Sequence, residues 1–266
     1  MTVDEPKLRQ SKGFLDDKRI LVTGVLTNKS IAYGIAAACR RQGAQLAFTY
    51  QDERMVKRVR KVAEQFESAL CFPCDVRSDE QIRSVFDGIG SEWGRLDGVV
   101  HSIGFAPPEA ISGSFLDGLS REAFHLAHEV SSYSFPALAK AALPLLNPRG
   151  SLLTLSYIGA ARVMPGYNTM GLAKASLEAS VRYLAADLGP KGMRANAISA
   201  AVLPTIASSG LGAIDLLLEN QKKRALVDRD MTIDDIGNVA AFLLSDLSGG
   251  INGQVIYVDG GFSSNG

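Results

Sequence analysis

Short apolar runs alternate along this chain with longer stretches of helical period. Residues 19–24 (Arg-Ile-Leu-Val-Thr-Gly) read as a buried strand, and 31–42 as an apolar, alanine-rich helix that ends before Gly43. The same unit recurs as strand 45–50, helix 53–66, strand 69–74, helix 79–93 and strand 96–102. Further on, 121–146 reads as one long helix, 150–156 as a strand, 168–188 as a helix and 194–199 as a strand. A less regular stretch over 201–230 precedes a helix at 233–245 and a last strand at 254–258. Seven strands separated by helices predict an α/β fold: a doubly wound parallel sheet of Rossmann type with helices on both faces. Its ligand site belongs at the carboxyl ends of the strands.

Composition narrows the class. At 266 residues the chain suits one α/β domain, read here as residues 13–266 behind a flexible polar tail, 1–12. Lys plus Arg and Asp plus Glu each total 28, so no basic excess exists to neutralise nucleic-acid phosphates. No apolar run is long enough to span a bilayer, and the polar start does not read as a secretion signal, which predicts a cytoplasmic protein. Three cysteines fit a reducing compartment. Cys71 and Cys74 form a C-x-x-C inside a strand-like run without a second pair to complete a zinc site, so they read as core cysteines. His125 and His128 share a helix face without a nearby ligand partner and read as surface or interface residues.

The chemistry should lie just after the strands. The loop from Gly24 to Gly34, with Ser30 and Ile31 at its helix end, occupies the position where free N–H groups and the helix dipole attract a pyrophosphate. It lacks the tight G-x-G-x-x-G fingerprint, so a structural turn capped by Ser30 is the competing reading. After the second strand, neutral Gln51 can bond a ribose hydroxyl. Asp52 and Glu53 would repel a 2′-phosphate, favouring NADH over NADPH, while Arg54 keeps the question open. Asp75 and Val76 could meet the adenine, or Asp75 could simply cap the next helix. The strongest constellation is Tyr157, Tyr167 and Lys174, two phenols ten positions apart and an ammonium seven further on, running from a strand end into a helix. A lysine on the nicotinamide ribose would add positive potential and make a nearby phenol a better donor to a developing oxyanion.

These motifs resemble the NADH-dependent bacterial enoyl-acyl carrier protein reductases of the short-chain dehydrogenase/reductase superfamily, from Gly13 to about Phe262. The resemblance rests on Ile20-Leu21-Val22-Thr23-Gly24-Val25, Ser30-Ile31-Ala32-Tyr33-Gly34, His101-Ser102-Ile103-Gly104-Phe105-Ala106-Pro107, Ser131-Ser132-Tyr133-Ser134-Phe135, Leu153-Thr154-Leu155-Ser156-Tyr157, Tyr167-Asn168, Met170-Gly171-Leu172-Ala173-Lys174 and Asn196-Ala197-Ile198-Ser199-Ala200. Carbonyl reductases of that superfamily carry a tyrosine four positions before the lysine. Met170 stands there in this chain, which speaks against simple ketone substrates. The resemblance implies hydride transfer from NADH to the β-carbon of a trans-2-enoyl thioester in fatty acid biosynthesis, with Tyr167 holding the enolate oxygen and Tyr157 assisting at the acyl end. It also implies Lys174 on the nicotinamide ribose and cofactor contacts from Gly24, Ser30, Ile31, Gln51, Asp75, Val76, Ile103, Leu203, Pro204, Thr205, Ile206 and Ala207. Ala106, Tyr157 and Tyr167 would meet a substrate carried on acyl carrier protein. No metal is expected. The implied assembly is a homotetramer formed largely by the long helices, with neither nucleic acid nor membrane as partner.

Two segments depart from the family pattern. Where the family carries Gly-Pro-apolar-Arg-Thr, this chain reads Ala201-Val202-Leu203-Pro204-Thr205. Proline fixes φ and lacks an N–H, so moving it by two positions predicts an altered path beside the nicotinamide. A basic Pro-Leu-Arg-Arg-like stretch is replaced by Leu226-Val227-Asp228-Arg229-Asp230, which would alter subunit contacts or carrier docking. Two alternatives to the reductase follow: a catalytically impaired dinucleotide-binding paralogue with a structural or regulatory role, and a reductase of another activated alkene or carbonyl.

Overall fold

The computed structural model describes residues 13–210 and 212–265. The 1–12 tail and the end of the proposed 13–266 domain at Gly266 lie outside the described residues.

Among the described residues, seven strands form one parallel sheet in the order β3-β2-β1-β4-β5-β6-β7. They are β1 (Arg19–Val22), β2 (Gln45–Tyr50), β3 (Cys71–Pro73), β4 (Leu96–His101), β5 (Leu146–Ser156), β6 (Arg194–Ala200) and β7 (Val255–Val258). The helices are α1 (Ile31–Arg41), α2 (Glu53–Gln65), α3 (Asp79–Trp93), α4 (Arg121–His128), α5 (Ser134–Ala142), α6 (Asn168–Leu188), α7 (Ile214–Arg224) and α8 (Ile233–Leu244). This is the predicted doubly wound arrangement. The chain starts in the middle of the sheet, builds outward through β3, then returns to cross to β4, leaving the crevice beyond the ends of β1 and β4 for a ligand.

Alternation along each strand sorts side chains between two cores. Val22, Leu153 and Ile198 join α1, α2 and α8 on one face. Leu21, Leu152 and Ala197 join α3, α5 and α6 on the other. Strands buried on both faces need continuous apolar sequence, which is why they were readable as runs.

Two elements differ from the sequence expectation. The helix expected over 121–146 is broken: α4 passes into a π turn, Glu129–Tyr133, before α5. Pro136 supplies no N–H to the carbonyl of Ser132, and the Ser134 N–H bonds Glu129 O, five residues back. Pro144 then stops the helix, and β5 begins at Leu146 rather than 150. Conversely, the irregular 201–230 stretch contains α7, a largely polar helix whose buried positions are Leu217 and Gln221.

Candidate active site

The loop after β1 is shaped by Gly24, whose φ is 78°. A Cβ there would stand 1.9 Å from the Ser102 carbonyl oxygen, so a side chain would push the loop off the end of β4. Ser30 does not cap α1 with its side chain, contrary to the structural-turn expectation. Its Oγ instead accepts the N–H groups of Leu26 and Thr27, each at 3.1 Å, folding the loop back on itself. The first turn of α1, beginning at Ile31, holds no acidic residue and keeps its dipole facing the crevice.

At the end of β2, Gln51 is exposed. Asp52 caps α2 by accepting the Arg54 N–H at 2.9 Å and also pairs with the Arg54 guanidinium at 2.6 Å. Arg54 is therefore engaged by a neighbouring carboxylate, and that hydrogen bond holds the Asp52 carboxyl below its usual range. Asp75 makes the same kind of pair with Arg77, at 2.5 Å. The expected alternative for Asp75 as a helix cap is corrected: Ser78 caps α3 through the Gln81 N–H. Val76 is buried next to it, and Ile103, beyond β4, is half-buried.

Tyr157, Tyr167 and Lys174 share one end of the sheet, as their spacing predicts. Tyr157 follows β5, Tyr167 immediately precedes α6, and Lys174 lies two turns into that helix. The two phenol rings meet edge to face, centroids 4.9 Å apart at 70°. Around them Ala106, Ile111, Ala127 and Met170 form a separate apolar cluster. Burial raises both phenol pKa values well above the usual range, reinforced for Tyr157 by Asp259 and for Tyr167 by Tyr157 and Glu178. The Tyr157 Oη is buried without a hydrogen-bond partner, a costly state that a ligand oxygen would relieve.

Lys174 is buried, its Nζ donating to Leu155 O at 2.8 Å. Burial brings its pKa down to about 8, opposed by Glu178. Burial first, and then the positive charge of Lys174, act against protonation of His101. Tyr167 is placed to donate a hydrogen bond while keeping its proton.

Sequence reasoning missed several supporting residues. Gly159 lies against the tyrosine pair: a Cβ there would stand 2.3 Å from Tyr167 Cδ1 and 3.1 Å from Tyr157 Cδ1. Ser156 Oγ donates to Glu178 Oε1 at 2.5 Å. His101 is fully buried between Thr154 Oγ1 (2.7 Å) and Ser134 Oγ (2.8 Å), and burial lowers its pKa to about 3. Ser134 Oγ already donates to Val130 O, so it accepts from Nε2–H and leaves Nδ1 to accept from Thr154. The signal for His101 was its place at a strand end, at the head of the 101–107 motif. Gly159 followed Tyr157 by two positions with no periodicity to mark it.

The segment after β6 takes the path allowed by its departures. Val202 and Leu203 are buried, while Pro204, Ile206 and Ala207 are exposed. Pro204 sits in a tight turn closed by the Thr205 N–H to Leu203 O at 2.9 Å. Thr205 Oγ1 accepts the Ser208 N–H at 3.1 Å. In the other departure, Arg229 forms a two-pronged pair with Asp235 at 2.7 and 2.8 Å, bracing the capping box Thr232–Asp235 at the start of α8. This guanidinium holds the Asp235 carboxyl far below its usual range.

Cys39 and Cys74 are buried and Cys71 half-buried, all as free thiols. Burial pushes the first two up to about 12. The His128 ring stacks on Phe124 at 4.0 Å, with Nδ1 donating to the Phe124 carbonyl. Among the described residues, no group of three His, Cys, Asp or Glu is placed to hold a metal, and no helix is long and apolar enough to cross a membrane.

A sheet of this order, with a glycine loop after β1 and a tyrosine–lysine pair across the start of α6, defines a dinucleotide-binding reductase of the short-chain dehydrogenase/reductase class. The model of the enoyl-(acyl carrier protein) reductase family matches residues 24–263. The NADH-dependent enoyl-[acyl-carrier-protein] reductase FabI of Neisseria meningitidis is 56% identical over 254 residues, covering 95% of this chain and 97% of that protein. The enoyl-[acyl-carrier-protein] reductase (NADH) structure from Aquifex aeolicus superposes with a TM-score of 0.91 at 46% identity, covering 94% of this chain and 98% of that one. The Anaplasma phagocytophilum enzyme in complex with NAD gives 0.91 at 40% identity, covering 96% and 95%. The chain belongs to the enoyl-(acyl carrier protein) reductase family.

Proposed function

We propose that this protein reduces the carbon–carbon double bond of a trans-2-enoyl thioester carried on acyl carrier protein, with NADH as donor, as a step of fatty acid biosynthesis. The observation that carries the reading is the pair of buried, neutral phenols Tyr157 and Tyr167, with Met170 in the position where a carbonyl reductase would place its acid.

The residues present fit the dinucleotide. Gly24, Ser30 and Ile31 shape an anion-receptive helix start, Lys174 presents a buried ammonium for the ribose, and the Tyr157 Oη lacks a partner. Asp52 occupies Arg54, which leaves that guanidinium less free to meet a 2′-phosphate and favours NADH over NADPH. Gln51, Asp75, Val76 and Ile103 complete the adenosine end, and Leu203 to Ala207 the nicotinamide end. Bound NADH supplies a hydride to the β-carbon of the enoyl chain.

As that bond forms, electron density moves through the conjugated system to the thioester oxygen. Tyr167 donates a hydrogen bond to this oxygen, and its raised pKa keeps the proton on the phenol. Tyr157 orients the acyl end, Ala106 and the apolar cluster line the acyl chain, and the α-carbon then takes a proton from solvent. Leu172 and Tyr183, exposed apolar residues of α6, support a homotetramer that pairs this helix. The three free thiols support a cytoplasmic location.

The test uses NADH carrying deuterium at the transferable position. Mass spectrometry of the saturated product should place the label on the β-carbon. Label on the α-carbon or none in the acyl chain would overturn the assignment.

A further inference from the structure

β6 exchanges its last ladder bonds with β7 near Ala200 and Val258, where the Ala201 N–H reaches Val258 O at 2.9 Å. One residue later the role of neighbouring strand passes to a side chain. Gln221 Oε1 accepts the Val202 N–H at 2.6 Å, and Gln221 Nε2 donates to Val202 O at 3.1 Å. Gln221 is 8% exposed in α7, and Leu217, one turn earlier, is the other buried residue of that helix.

Each end of this clamp reaches part of the site. Val202 leads into Leu203 to Ala207, where Ser208 Oγ donates to Leu203 O at 2.6 Å and fixes the turn. Ala213, just before α7, packs against Gly166, the neighbour of Tyr167: a Cβ at Gly166 would stand 3.1 Å from the Ala213 Cβ. Moving α7 therefore pulls on the strand end beside the cofactor and on the wall beside Tyr167. The clamp also depends on this chain's departure at position 202, because the proline of the family pattern has no N–H to give Gln221.

We propose that Gln221 is a positioning residue that makes the 202–207 segment and α7 act as one body, so that binding of NADH and seating of the acyl chain favour each other. The proposal rests on the enoyl reductase reading for the identity of the two ligands. Cutting the clamp leaves both polar groups of Val202 without partners and separates the two events.

The test measures NADH affinity by fluorescence, alone and with saturating butanoyl-coenzyme A, beside steady-state kinetics with trans-2-butenoyl-coenzyme A. The native protein should bind NADH severalfold more tightly with the acyl thioester present. Gln221→Leu should bring that ratio close to one and lower kcat/KM by about tenfold, mainly through KM. Val202→Pro removes the N–H but keeps the carbonyl that Gln221 Nε2 reaches, so it should lower the ratio in the same direction by less, and adding it to Gln221→Leu should cost little more. If either single variant fails to fold by circular dichroism, the other carries the test. A native protein that turns over the enoyl thioester without coupling, or a folded variant that keeps full coupling, overturns the proposal while leaving the reductase reading intact. A native protein with no turnover overturns that reading first.

Discussion

Gly159→Ala tests the placement of the two tyrosine rings, Tyr167 above all. The added methyl would stand 2.3 Å from Tyr167 Cδ1 and 2.8 Å from Cε1, and 3.1 Å from Tyr157 Cδ1. Carbon atoms pack at about 3.5 Å or more, so the Tyr167 ring must retreat by roughly 1.2 Å or the 157–160 turn must shift by as much. Gly159 has no positive φ, so alanine adds no backbone strain and the whole effect comes from overpacking. Such a displacement of a group that meets the reacting oxygen should lower kcat/KM by about a hundredfold, with a stability loss of about 1–3 kcal/mol. The assay is steady-state reduction of a short trans-2-enoyl thioester, with NADH affinity and the urea midpoint measured on the same preparation. Gly250→Ala, where nothing stands within 4 Å of the added Cβ, is the neutral control. Native kcat/KM in a folded Gly159→Ala protein would refute the claim that the contact between Gly159 and the tyrosine rings sets the reaction geometry.

Two further outcomes follow from the same geometry. Tyr167→Phe removes the donor to the developing oxyanion and should lower kcat by about 10² to 10³. Its NADH dissociation constant should stay within about twofold, and a large loss of cofactor affinity would show that the phenol serves the dinucleotide instead. His101, with a folded pKa of about 3 against its usual 6.5, is neutral when buried and charges readily when unfolded. The stability it confers is therefore fully present above pH 6.5 and is lost as pH falls toward 3, by up to about 1.4 kcal/mol per pH unit. Urea midpoints between pH 7 and 4.5 should fall steeply in the native protein and less steeply in His101→Gln, which starts lower. Parallel slopes would contradict the assignment.

The sheet was legible because strands covered on both faces must be apolar throughout. Leu46, Ala47 and Phe48 could not be mistaken for an exposed edge. The Tyr157, Tyr167 and Lys174 constellation was legible because a strand end and the helix after it fix all three within one stretch of chain. What escaped the sequence depends on pairing across the fold. The breaks around the π turn have local causes in Pro136 and Pro144, yet apolar residues recur through α4 and α5 and so read as a single helix, although the buried ones of α4 pack in the cluster around Tyr167 and those of α5 against the sheet. In α7 the apolar residues Ile214, Leu216, Leu217 and Leu218 crowd the first turn and a half instead of recurring at helical period, and Gln221 finds Val202 from 19 positions away by tertiary placement alone. Gly159 and His101 matter through what stands opposite them, which periodicity does not encode.

Reduction of the enoyl double bond is tested by following NADH absorbance with a short trans-2-enoyl thioester and, in parallel, a simple ketone. An enoyl thioester reductase should consume NADH steadily with the enoyl thioester and not with the ketone. Consumption with the ketone alone, or NADH binding with turnover of neither, would contradict it.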